Sequence, residues 1–234
     1  MKLIYPQIKT VLDTEIDKVW VLEIENKAFF RKCVLDICNQ INGAEGQFSL
    51  YCGDEEEDIS STCEIIFNPL EINLTQKKLL GAIERAMENR LKEVLPSREL
   101  NKDLKNIKDI INNLAFDMNL EIEASRLVPE DLIKIAGITL KEGSNSAIEK
   151  IIDYMSLVRR YEKNKLFVFI NINSYFDSEE LTTFFERILQ MDLDIVLVNS
   201  YSFPSSAEIR RIIVDKDLCE ITSGSCLGAS LGTV

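Results

Sequence analysis

The sequence of 234 residues contains no histidine. That absence removes every Ser-His-Asp and Cys-His mechanism, together with the side chain most used to move protons near neutral pH. Cysteine is present at Cys33, Cys38, Cys52, Cys63, Cys219 and Cys226, but no CxxC pair occurs and no histidine is there to complete a zinc set. These six therefore read as small buried thiols in a reducing compartment. No run approaches the ~18–20 apolar residues of a membrane span, and the opening MKLIYPQIK lacks the apolar stretch and cleavage site of a leader peptide. The expected location is the cytoplasm, with no membrane partner.

Glycine is missing where nucleotide chemistry needs it. The turn after VWVLEI reads ENKAFF, with no glycine and no GK[ST], so backbone amides have no open cradle for a phosphate. The later strand LFVFINI ends in Asn171 and Asn173, where an active NTPase would place a magnesium-binding carboxylate. Both observations weigh against ATP hydrolysis.

What is present is an α/β pattern. Leu166 to Ile172 is a nearly continuous run of Phe, Val and Ile, the composition of a strand buried on both faces of a parallel sheet. Helical periodicity precedes it over Ala147–Tyr161 and follows it over Ser178–Gln190, and a second buried run spans Ile195–Val198. Helix, strand, helix, strand implies a mostly parallel sheet. Upstream, Leu3–Ile8, Lys18–Ile24, Gln47–Cys52 and Ser61–Phe67 read as strands, with a helix from Asn26 to about Ile41 that Gly43 stops. Downstream, Asn119–Glu123, Ile138–Lys141, Ile209–Val214 and Leu218–Ile221 are further candidate strands, and Pro129–Ala136 a short helix.

From Thr75 the period changes. Leu80, Ile83, Met87, Leu91 and Val94 fall on one face of a helix ended by Pro96, and Leu100, Leu104, Ile107, Ile111 and Leu114 form the same stripe on a second. Two such helices are expected to pack as a hairpin projecting from the sheet. The organisation read from the sequence is a head in two parts, 1–72 and 144–221, a helical leg subdomain inserted at 73–143, and a loosely ordered tail at 222–234.

Charge is unevenly spread along this plan. The net charge is −12, yet Thr75–Lys108 holds nine basic and five acidic residues, so that segment carries +4 and the rest −16. At about 100° per residue, Lys78, Arg85 and Lys92 lie opposite the apolar stripe of the first helix, and Arg98, Lys102 and Lys105 opposite Leu104 and Ile107 on the second. A solvated helix face would give the same pattern. The contrast with an acidic remainder favours instead a surface that holds a polyanion. The acidic loop Asp54–Asp58 reads as a solvated turn, whereas Glu121 and Glu123, on one side of an extended segment, form a candidate cation site beside the alternative of plain surface acids.

The block KNKLFVFININSYFDSEEL, with the preceding helix IEKIIDYMSLVRRY, resembles the type II-A CRISPR-associated Csn-two family, whose segment K-K-L-x-V-F-I-N precedes Y-[LF]-x-x-E-E. VWVLEIENKAFFRKCV, NLEIEASRLVPEDLIKIAGITL and FPSSAEIRRIIVDKDL are similar to further parts of that family, so the resemblance reaches to about Ile221. It implies a degenerate P-loop-NTPase-like α/β head with a helical leg, and a homotetrameric ring whose positively charged hole encircles double-stranded DNA threaded from free ends. It also implies no catalytic role, and support of spacer acquisition alongside the CRISPR integrase complex and the effector nuclease. Calcium ions set the leg conformation in that family through a link of the form E-L-D-L-E-x-D-E, which this chain matches at Glu121 and Glu123 but not at Asn119, Ser125 or Arg126. Two other classes compete with a DNA clamp: a nucleotide-binding P-loop-like NTPase with an inserted lid, and a protein-binding scaffold whose hairpin docks a partner.

Overall fold

The computed structural model describes every residue except 95–96, 122–126, 141–145, 163–164, 203–208 and 224–234, and of residues 92, 94, 97–99, 129 and 130 the backbone only. The chain divides into two compact units, one of Met1–Ile72 with Ser144–Val234 and one of Asn73–Gly143.

In the first unit, β1 (Lys2–Ile4), β2 (Leu12–Asp13), β3 (Val19–Ile24) and α1 (Lys27–Ile41) come first, followed by β4 (Ser49–Cys52), β5 (Glu55–Glu57), α2 (Ile59–Thr62) and β6 (Cys63–Ile66). After the second unit, with α3 (Lys77–Val94), α4 (Ser97–Asp117) and α5 (Pro129–Ile135), the first resumes. It continues through α6 (Ala147–Tyr161), β7 (Leu166–Ile170), α7 (Ser178–Gln190), β8 (Asp194–Asn199), β9 (Arg210–Val214) and β10 (Glu220–Ser223). A six-stranded sheet runs β10-β9-β3-β8-β7-β6, parallel throughout except for β10 on β9. The α/β class with a largely parallel sheet, legible in LFVFI and VWVLEI, is what the chain adopts.

Both faces of that sheet are covered, which is why β7 and β8 are buried at every position. On one face Trp20, Leu22, Ile24, Val196 and Val198 join Phe29, Cys33 and Ile37 of α1 in a single core with Leu3 and Leu50. On the other, α7 stands over β7, with the Phe169 and Phe184 rings edge to face at 5.6 Å, and Tyr154 of α6 donates to Glu64 of β6 at 2.6 Å. Two of the helix starts follow side-chain caps: Asn26 accepts from the amides of Ala28 and Phe29, and Asp177 caps α7 in a capping box with Glu180.

Several expectations are corrected. Leu3, Leu12 and Leu50 belong to a second sheet of four antiparallel strands, β2-β1-β4-β5, and the extended start ends at Ile4 rather than Ile8. The acidic loop is a hairpin: Gly53, at φ 62°, permits a tight turn that pairs Cys52 with Glu55, and exposed Glu55 and Glu56 lie on the sheet edge. Asn119 is left-handed at φ 51° and residues 138–140 are not extended ladder, so neither candidate strand forms over its described residues; the rest of both, Glu123 included, lies outside them. Residues 222–223, assigned to the tail, close β10, and the remainder of the tail is outside the described residues.

Candidate nucleic-acid interface

The second unit is built on three helices. On α3 the buried line passes through Leu79, Ala82 and Ile83; Leu80 and Leu91 are half-buried and Met87 is exposed, so the inward face is turned by about one position from the expected stripe. Among the described residues the helix packed most closely on α3 is α5, joined by Lys134 to Glu88 at 3.7 Å, rather than α4. Among the described residues the main contact of α3 is therefore with α5 and not the hairpin contact with α4 expected from the sequence.

On α4, Leu104 and Ala115 are buried, with Lys108 and Asn112 partly covered on the same line. Three residues expected to face inward do not: Ile107, Ile111 and Leu114 are exposed, as is Ile110. At about 100° per residue from Leu104, Ile107, Ile110 and Leu114 fall on one flank of the helix and Lys102 and Lys105 on the other. One helix therefore carries a buried line, an open apolar flank and a cationic flank.

The six predicted cations are placed as follows. Lys78, Arg85, Lys102 and Lys105 are exposed. Lys78 has a partner of its own, and Arg85 Nε donates to the Gly81 carbonyl one turn back at 3.1 Å. Lys102 and Lys105 make no ion pair among the described residues, whereas the neighbouring Arg90 is tied to Glu93 at 2.8 Å. Lys92 and Arg98 lie on α3 and α4, with side chains outside the described residues. Of the two candidate cation ligands, Glu121 is exposed and Glu123 is outside the described residues, and no three acidic or thiol groups converge among those described.

The turn after β3, where a phosphate cradle would lie, is closed from within. The Asn26 carboxamide takes the Ala28 and Phe29 amides at 3.1 Å each, and the Glu25 amide donates to Val214. At the end of β7, Asn171 accepts from the amide and hydroxyl of Ser200 at 2.8 and 3.1 Å, so its oxygen is engaged in joining β7 to β8. Those donors serve the fold.

Comparison with known proteins decides the lineage. The family model described as CRISPR-associated protein (Cas_Csn2) matches residues 40–218, a span that includes α3, α4 and the parallel strands from β6 to β9. The chain belongs to the CRISPR-associated Csn2 family. It is 21% identical over 185 residues to the CRISPR-associated protein Csn2 of Enterococcus faecalis, covering 79% of this chain and 84% of that one. It is also 21% identical over 169 residues to the CRISPR-associated protein Csn2 of Streptococcus agalactiae, covering 70% and 74% respectively. As in the resemblance drawn from KNKLFVFININSYFDSEEL, this is a diverged Csn2-family chain, and its function is CRISPR-associated. No described helix is long and apolar enough to cross a membrane.

Proposed function

We propose that this Csn2-family chain is a non-catalytic clamp that binds double-stranded DNA without sequence preference, as a homotetrameric ring supporting spacer acquisition. The observation that carries this is the pair Lys102 and Lys105, exposed and without an ion pair among the described residues, on a chain whose net charge is −12. Lysines with no ion pair to break among the described residues give up little when they meet phosphates, and the anionic remainder disfavours DNA elsewhere on the chain. A degenerate P-loop-like head fits a parallel sheet whose first turn is capped by Asn26.

Self-assembly has its own support in the other flank of α4. Ile110 is 58% exposed and Leu114 57%, and a second copy seated there would cover them while leaving Lys102 and Lys105 open. The CRISPR integrase complex and the effector nuclease are the expected partners in the cell. Calcium at Glu121 and Glu123 is a separate element of the proposal, and no step of DNA binding runs through it. Calorimetric uptake of calcium that disappears in the Glu121→Gln/Glu123→Gln variant supports that element; no uptake by the native chain removes it and leaves the clamp standing.

The test of the DNA site is the Lys102→Glu/Lys105→Glu variant. At moderate salt its binding to a linear duplex falls by more than tenfold, and the slope of log affinity against log salt drops by about two if each lysine neutralises one phosphate. Unchanged binding would remove the site from α4. A thermal shift with ATP and magnesium would instead favour the NTPase alternative.

A further inference from the structure

Asn199, the last residue of β8, is 0% exposed, and neither its Oδ1 nor its Nδ2 has a hydrogen-bond partner among the described residues. Roughly nine in ten buried polar side-chain atoms are bonded to protein or to ordered water. An amide orphaned at both ends therefore marks a place where something else binds.

The surroundings narrow what that is. In the ladder Asn199 lies directly opposite Glu23 of β3, itself 3% exposed, and Glu23 is paired with Arg211 at 3.3 Å. On the other side the Asn171 amide donates to the Val198 carbonyl, and its carboxamide oxygen accepts from the Ser200 amide. A second buried oxygen without a partner, Asn173 Oδ1, is on the loop that leaves β7 at the same end of the sheet. The strand order reverses between β3 and β8, since β3 leads by way of α1 toward the β6 edge while β8 leads to β9 on the opposite side of β3. At such a reversal an open parallel sheet leaves a crevice outside its carboxyl ends.

The occupant has to accept from Nδ2, donate to Oδ1 and fit where no surface is open. A phosphate or a metal ion meets a poor match, because the amide is neutral and the charges of Glu23 and Arg211 offset each other. We infer that Asn199 holds an internal water molecule at the reversal between β3 and β8. It satisfies both ends of the amide and closes the crevice with solvent.

Two measurements on the full chain test it. A high-resolution crystal structure shows a solvent peak about 3 Å from Asn199 Oδ1 or Nδ2. Oxygen-17 relaxation dispersion counts one fewer long-lived water in Asn199→Leu than in the native chain, with the far-ultraviolet circular dichroism spectrum retained. A map in which the amide bonds directly to Glu23 or another protein group, with no solvent peak, overturns the assignment. So does an equal count of long-lived waters in the two proteins. Should Asn199→Leu not fold, the native map decides alone.

Discussion

Burial pushes the Cys33 and Cys63 thiols from the ordinary value of 9.0 up to about 12, against lowering influences from Tyr5 and Lys32 on the first and from Lys165 on the second. A folded-state pKa above the unfolded one stabilises fully below about pH 9, and that contribution is lost as the pH climbs toward 12. The native chain at pH 8 is therefore expected to leave Cys33 and Cys63 unalkylated by iodoacetamide while exposed Cys219 reacts, as read by peptide mass spectrometry. Rapid labelling of Cys63 would contradict its place in the core. Asn171 offers a second test, since it is left-handed at φ 51° and its oxygen holds Ser200. Asn171→Ala loses both bonds and strains the backbone, and denaturant melts should show a loss of about 1–3 kcal/mol. The sequence singles out this asparagine for the carboxylate it lacks. Its conformation and its tie to β8 are set by a residue 29 positions away, which local spacing does not encode.

Elements packed on both sides are legible from composition, as LFVFI and DIVLVN show by being buried at every position. Phe169→Ala removes a ring that meets Phe184 edge to face in this core, at an expected cost of about 3–5 kcal/mol in equilibrium unfolding. A loss under about 1 kcal/mol would mean that α7 does not seat on β7. Helices with one covered line are harder to read. Periodicity places Ile107, Ile111 and Leu114 with Leu104, but among the described residues of α4 only Leu104 and the small Ala115 are buried, and the isoleucines stand open. The physical reason is that an apolar stripe records which face is buried in the working protein, including by another chain, and does not say by whom. Ile110→Ser/Leu114→Ser should leave the helical content of the chain unchanged and reduce its assembled mass in solution. Unaltered assembly would release that flank from the interface. The two-residue hairpin at Gly53 is a similar case, because a charged edge strand and a solvated turn share the same acidic composition.

At the scale of the whole molecule, an anionic chain of net charge −12 presents Lys102 and Lys105 on one helix, exposed and without an ion pair among the described residues. That uneven charge is fully visible in the sequence. The geometry of the proposed channel is not, because it would arise from contacts between copies. A tetramer of 26.7 kDa chains has a mass of about 107 kDa by light scattering, and a stable monomer at all concentrations would remove the ring. The most direct measurement is competition between a linear duplex and the same duplex covalently closed into a circle, at equal length and salt. A ring threaded from free ends binds the linear form and leaves the circle unbound, and blocking both ends of the linear duplex with bulky adducts abolishes binding. Equal affinity for circle and line would contradict encirclement, and no affinity for either would end the assignment of DNA as the ligand.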